Sequence, residues 1–173
     1  MYLTRDLIEL SGKDYRAKRN HLNYLLRSYR ITYEPMDGSN VVACLAMSDE
    51  WCAARRCEED LNLASEWGAT REALTHFAEL RMEGGAVIVN GKVEAFTLGE
   101  LLNENAAVVH IEKANTDIRG IYAVVNQQFC EKRWADVPFI NREQDLGEPG
   151  LRKAKLSYRP TRLVDKFRIT LRA

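Results

Sequence analysis

Residues 85–102 read GAVIVNGKVEAFTLGELL. Apolar residues recur here at a period of two, and the dipeptide Asn90-Gly91 sits between the two runs. Asn-Gly tolerates positive φ at both centres of a two-residue turn, so it is the strongest short-range hairpin signal in a sequence. The stretch therefore predicts two antiparallel strands joined by a tight turn. After a turn at Asn103–Asn105, residues 106–114 (AAVVHIEKA) continue the alternation as a third strand. The period then changes. Residues 116–134 (TDIRGIYAVVNQQFCEKRW) place Ile121, Val124, Val125 and Phe129 on one helical face. Residues 138–143 (PFINRE) make a fourth strand and residues 149–158 (PGLRKAKLSY) a helix with Pro149 in its first turn. Residues 162–171 (RLVDKFRITL) close the chain as a strand.

Working backward, residues 31–36 (ITYEPM) form a short strand ended by Pro35 and the Asp37-Gly38 turn. Between this strand and the hairpin the pattern is helical, with one helix over 41–57 and a second over 58–70 that ends or kinks near Gly68. A third runs over 70–80, with Thr70 as N-cap but no capping box, because Glu72 falls one place early. Residues 13–29 form an amphipathic helix with Tyr15, Leu22, Leu25, Leu26 and Tyr29 on its apolar side. Antiparallel hairpins feeding a strand–helix–strand crossover give a mixed, mostly antiparallel α/β sheet flanked by helices.

The chain has 173 residues, enough for one core. Twenty-five basic residues balance twenty-five acidic ones, so global charge selects no partner. The distribution is less even. Residues 152–172 carry eight Lys or Arg and one acid, Asp165; residues 13–30 carry six Lys or Arg and His21 against Asp14. If the fold brings the two ends together, they make one basic face. Cys44, Cys52, Cys57 and Cys130 form no CxxC pair and have no metal-ligand spacing, so buried reduced thiols and no metal are expected. No run approaches the ~20 apolar residues of a membrane span, and the N-terminus lacks a signal-peptide core. A cytoplasmic protein that does not cross the membrane is the expectation.

Three stretches carry most of the candidate chemistry; a fourth, KRNH over residues 18–21, cannot set all its side chains on one helix face, so some are merely exposed, and offers phosphate contact by one or two of Lys18, Arg19 and His21. Around Arg119 and Gly120 a strand gives way to a helix N-terminus, whose free N–H groups and dipole suit phosphate. Strict alternation in HIEK puts His110 and Glu112 on one strand face, where a carboxylate beside an imidazole suits base catalysis. Residues 140–160 gather Arg142, Glu143, Asp145, Arg152, Lys153, Lys155, Tyr158 and Arg159 at the C-terminal end of a strand, where open α/β sheets place ligands. Lys155 and Tyr158 share a helix face. Each stretch also has a plain structural explanation: a tight turn, a hydrogen-bonded pair, a solvated helix.

The blocks LSGKDYRAKRNHLNYLLRSY, GGAVIVNGKVEAFTLGELLNENAAVVHIEKANTDIRGIYAVVNQQF and INREQDLGEPGLRKAKLSYRP, in this order, resemble the family named for the C-terminal domain of phosphatidylglycerol lysyltransferase. The resemblance runs from about Leu7 to Lys166. It implies a GNAT-like acyltransferase fold, with residues 1–35 as linking segment and basic helix and 36–173 as the GNAT-like domain, the second of a usual tandem. It also implies an activated donor, aminoacyl-tRNA or acyl-CoA, and an acceptor such as a lipid head group. GNAT enzymes hold the cofactor pyrophosphate with a Gln/Arg-x-x-Gly-x-Gly/Ala loop; in Asp117–Tyr122 only Gly120 fits, which argues against acetyl-CoA held in the usual way.

On this reading Lys153 and Lys155 meet donor phosphate. Glu112 or Asp145 is base or amine orienter, Tyr158 protonates the leaving group, Arg142 holds an anionic part of a substrate, and Arg119 and Gly120 line the phosphate loop. Two other readings stand beside it: a module that binds tRNA or anionic lipid without turnover, and a CoA-dependent N-acetyltransferase. The apolar segment with Tyr2, Leu3, Leu7, Ile8 and Leu10 is expected to lack its cover and to dimerise where a first domain would dock.

Overall fold

The structure is a computed structural model and describes residues 1–167 and 169–171. Its centre is one six-stranded sheet of order β1-β6-β5-β4-β3-β2. The strands are β1 (Tyr2–Leu3), β2 (Ile31–Pro35), β3 (Glu83–Val89), β4 (Lys92–Asn103), β5 (Ala106–Ala114) and β6 (Phe139–Asn141). All neighbours are antiparallel except β5 and β6, which run parallel. The β3–β4 turn is at Asn90-Gly91, where φ is +52° and +91°, as a type I′ turn requires.

Helices cover both faces. On one lie α1 (Thr4–Glu9), α2 (Arg16–Ser28) and α6 (Ile121–Arg133), whose Leu7, Leu25, Val125 and Phe129, with Leu10 just after α1, pack on Val87, Ala95 and Val109 of the sheet. On the other lie α3 (Val41–Arg55) and α4 (Leu61–Thr75), whose Cys44, Met47 and Leu74 pack on Ala86, Phe96 and Leu98. Three short elements complete the described residues: a 3-10 turn at Cys57–Glu59, α5 (Phe77–Leu80) and α7 (Pro149–Leu156). Residues 1–35 thus supply two strands of the sheet and part of its core. Tyr2, Leu7 and Leu10 are buried against α6 and the sheet, so the N-terminal segment is not the open apolar surface expected of it.

Two sequence expectations are corrected. The break expected between helices over 58–70 and 70–80 is absent: α4 runs straight through Gly68 and Thr70 to Thr75, and only the short α5 follows. Thr70 does not cap; its hydroxyl donates to the Glu66 carbonyl at 2.8 Å from a fully buried position. The cap is Asp60, whose carboxylate accepts from the N–H groups of Asn62 and Leu63. Nor do the described residues of 162–171 form a strand. The sheet edge there is the two-residue β1; the Thr161 N–H donates to the Met1 carbonyl and the Met1 amine to the Arg162 carbonyl, and the edge then ends. Leu163, Phe167, Ile169 and Leu171 are exposed. Arg168 and Arg172, counted in the basic C-terminal segment, lie outside the described residues.

All four cysteines are free and buried. Among the described residues no helix is long and apolar enough to cross a membrane, and no group of three or more His, Cys, Asp or Glu is placed to hold a metal ion.

Candidate active site

Strands β5 and β6 pair only at Ala106–Phe139, Ala107–Ile140 and Val108–Asn141. Beyond this point they part, while β5 runs on to Ala114 against β4 alone. A bulge in β5 coincides with the parting: Leu98 pairs with Ile111 but Gly99 with Val109, so His110 is left over. An extra residue bends a strand and increases its twist. Gly99 is required there, because a Cβ would run into the Val108 carbonyl oxygen. The bulge also resets the alternation. Ala107 and Val109 face the α6 side before it, and Ala114 after it, so Glu112 shares that side.

The opening between the strands holds a buried ion pair. Arg142 Nη2 donates to Glu112 Oε1 at 2.8 Å, and the two side chains are only 10% and 12% exposed. Asn126 of α6 donates to the other Glu112 oxygen at 3.3 Å. The Arg142 guanidinium lies 4.8 Å from the Tyr158 ring centroid and 5.9 Å from that of Tyr2. Burial works against its charge, but the neighbouring Glu112, Tyr158, Tyr2 and Cys130 outweigh that and hold its pKa above the ordinary value. Burial pushes the Tyr158 phenol up to about 12, and the Cys130 thiol likewise to about 12. Two polar atoms in this cluster are buried without a partner, Arg142 Nη1 and Asn126 Oδ1.

The chain ends do converge here. Tyr15 donates from its hydroxyl to the Tyr158 carbonyl at 2.9 Å, Tyr2 to the Lys155 carbonyl at 3.0 Å, and Lys18 Nζ stands 4.1 Å from the Tyr158 ring centroid. Lys155 donates to the carbonyls of Arg142 and Gln144 at 2.6 and 2.5 Å. It acts as a clasp on the loop after β6. Burial, and then the nearby Arg142 charge, lower the pKa of both Lys155 and Lys18.

The structure therefore brings Glu112, Arg142, Lys155 and Tyr158 together. It does not bring the others to them. Asp145 is bound through both carboxylate oxygens by Arg152, at 2.6 and 3.1 Å, which with the Gly147 N–H pulls its pKa down to about 2. Lys153 is exposed on α7. His110 shares no partner with Glu112; its ring nitrogens meet Glu143 and Glu100, each at 3.1 Å. Arg119 donates to His21 Nδ1 at 3.2 Å and lies over Tyr24. Gly120 has φ +94°, and a Cβ on it would sit 2.5 Å from the His21 carbonyl oxygen. The N-terminus of α6 is thus approached by a backbone carbonyl of α2.

Asn126, one polar position in an apolar helix, is not among the residues expected at a site; Lys18 is expected only as one of several possible phosphate contacts in the KRNH stretch. A second buried cation, Lys113, stands on the opposite sheet face, 2.7 Å from Glu66 and 3.6 Å from the Trp51 ring centroid.

The family profile described as "Phosphatidylglycerol lysyltransferase, C-terminal" matches residues 1–170. The chain belongs to this family. A crystal structure of a conserved protein of unknown function from Bacteroides thetaiotaomicron is 42% identical with a TM-score of 0.89, over 94% of this chain and 55% of that one. The C-terminal domain of a protein described as a lysylphosphatidylglycerol synthetase from Agrobacterium fabrum superposes with a TM-score of 0.64 at 17% identity, over 92% of this chain and 55% of that one. An uncharacterized protein of Mycoplasmoides gallisepticum is 22% identical over 167 residues, 96% of this chain and 54% of its own. This lysyltransferase-family chain thus spans about half the length of these relatives. The fold is GNAT-like: a GCN5-related N-acetyltransferase from Ralstonia eutropha superposes with a TM-score of 0.51 at 17% identity, over 79% of this chain and 97% of that one.

Proposed function

We propose that this domain takes part in acyl transfer from an activated ester donor, an aminoacyl-tRNA in preference to an acyl-CoA, to an amine or hydroxyl acceptor such as a lipid head group. The observation that carries the reading is the carboxylate of Glu112 set in the opening of the one parallel strand pair, with Arg142 and Asn126 fixing both its oxygens. A carboxylate held this way accepts the proton of an attacking nucleophile. The adjoining guanidinium meets negative charge as it develops on the carbonyl oxygen. Tyr158 stays protonated across the physiological range and serves as the acid for the leaving group.

Two features favour an ester over a thioester. A thiol leaving group, with a pKa of about 8.5, needs no acid as weak as this phenol, whereas an alkoxide does. And the α6 N-terminus, where GNAT enzymes take pyrophosphate, faces the His21 carbonyl, whose partial negative charge opposes phosphate. The GNAT-like fold is what supports the acyl-CoA reading. The test is release or transfer of the acyl group from charged tRNA. Loss of turnover in Glu112→Gln, with the fold intact by circular dichroism, is expected; full turnover in that variant would overturn the role of Glu112.

A further inference from the structure

The positive charge around Tyr158 exceeds what the site itself neutralises. Lys18 Nζ and the Arg142 guanidinium both lie against the Tyr158 ring, at 4.1 and 4.8 Å from its centroid, so the two cations are no farther apart than the sum of those distances. Glu112 is the carboxylate within reach, and Arg142 already occupies it. Among the described residues Lys18 has no ion pair and no hydrogen-bond acceptor. Lys155 spends its ammonium on two carbonyls and neutralises nothing.

The local sequence of α2 adds to the excess. Its first turn carries Arg16, Lys18 and Arg19 and no acid. Cations at a helix N-terminus oppose the dipole. Arg19 is tied to the carbonyls of Leu10 and Gly12. Lys18 instead is drawn half-buried onto the Tyr158 ring, where the ring face attracts it while burial and the Arg142 charge oppose it. Independently, Arg142 is nine-tenths buried and its Nη1 has no partner.

We infer that Lys18, Arg142 and the Tyr158 ring form a binding site for one phosphate group at the mouth of the β5–β6 opening. Lys18 makes the direct contact on a flexible stem. Arg142, fixed by Glu112, supplies the field and an unspent N–H. A dianionic phosphate oxygen cluster offers the several acceptors that two such donors need. That this phosphate belongs to the donor nucleotide, not to a lipid head group, rests on the acyl-transfer reading above; the binding site itself does not.

The test uses the whole chain and needs no turnover. Thermal unfolding is followed with inorganic phosphate, adenosine 5′-monophosphate and glycerol 3-phosphate, ionic strength being held constant with chloride. At tenfold its Kd a phosphate ligand should raise Tm by about 3–6 °C. Lys18→Met should weaken phosphate binding at least tenfold, whereas Arg16→Met, on the same turn but exposed, should leave it unchanged. The nucleotide should bind more tightly than glycerol phosphate; the reverse order overturns the assignment to the donor. No protection of the wild type, or equal protection in Lys18→Met, overturns the site, whatever a transfer assay gives.

Discussion

Removing both members of the Glu112–Arg142 pair should destabilise far less than the two single removals added together. The pair is 2.8 Å long and about nine-tenths buried on each side. Truncating one partner of such a pair leaves a charge that has paid its desolvation and lost its attraction, which costs about 3–5 kcal/mol. Glu112→Gln keeps the shape of the side chain but strands the Arg142 cation among Tyr158, Tyr2 and Cys130. Arg142→Met strands the Glu112 carboxylate with Asn126 as its remaining donor. In a domain of this size each should lower Tm by about 6–20 °C. The double variant removes both charges and should cost well below the sum of the singles, giving a coupling of at least about 2 kcal/mol. The assay is urea unfolding of all four proteins with m held comparable. Additive losses, or singles each costing under 1 kcal/mol, would refute the claim that this pair is buried and mutually dependent.

Further outcomes follow from other parts of the molecule. Gly120→Ala forces a Cβ to 2.5 Å from the His21 carbonyl at φ +94° and should cost about 1–3 kcal/mol, read as a lower urea midpoint; a neutral result would mean α2 does not lie on the α6 N-terminus. Asp60→Ala removes the two capping bonds of α4 and should cost about 1 kcal/mol in the same assay. Tyr158 and Cys130 have pKa values raised to about 12 from 10.0 and 9.0, so the folded state holds protons that the unfolded state has lost. Their contribution is complete below about pH 9 and is lost as pH rises toward 12, by up to about 1.4 kcal/mol per unit for each group titrating. Tyr158→Phe should flatten the alkaline limb of a stability–pH curve.

The sheet was legible because its centre is written locally. Asn90-Gly91 fixes a turn, and the alternation on either side fixes which faces are apolar, so β3, β4 and β5 fall where the pattern puts them. What escaped is set by tertiary contact. The bulge at His110 leaves no mark in a run that alternates through it, yet it separates His110 from Glu112 and aims the latter at α6. Residues 162–171 alternate like a strand, but a strand needs an edge, and the two-residue β1 offers little. Gly68 and Thr70 suggested a break; buried packing of Leu74 and Thr70 carries α4 through both.

The candidate site was half legible for the same reason. Glu112, Arg142, Lys155 and Tyr158 stand where a strand ends and a basic helix begins, and a reading of residue types finds them. Asp145 is equally suggestive in sequence, but Arg152 lies seven residues on and claims it. Lys18 reaches this cluster only because α2 crosses over Tyr158, 140 positions later in the chain.

The measurement that bears most directly on the acyl-transfer account sets two donors side by side, a pool of aminoacylated tRNAs and acetyl-CoA, each offered with amine and hydroxyl acceptors to the wild type and to Tyr158→Phe. The account predicts acyl release or transfer from the tRNA ester, no turnover of the thioester, and a loss of about a hundredfold or more in Tyr158→Phe. Turnover of acetyl-CoA with the tRNA ester untouched, or ester turnover undiminished in Tyr158→Phe, would contradict it.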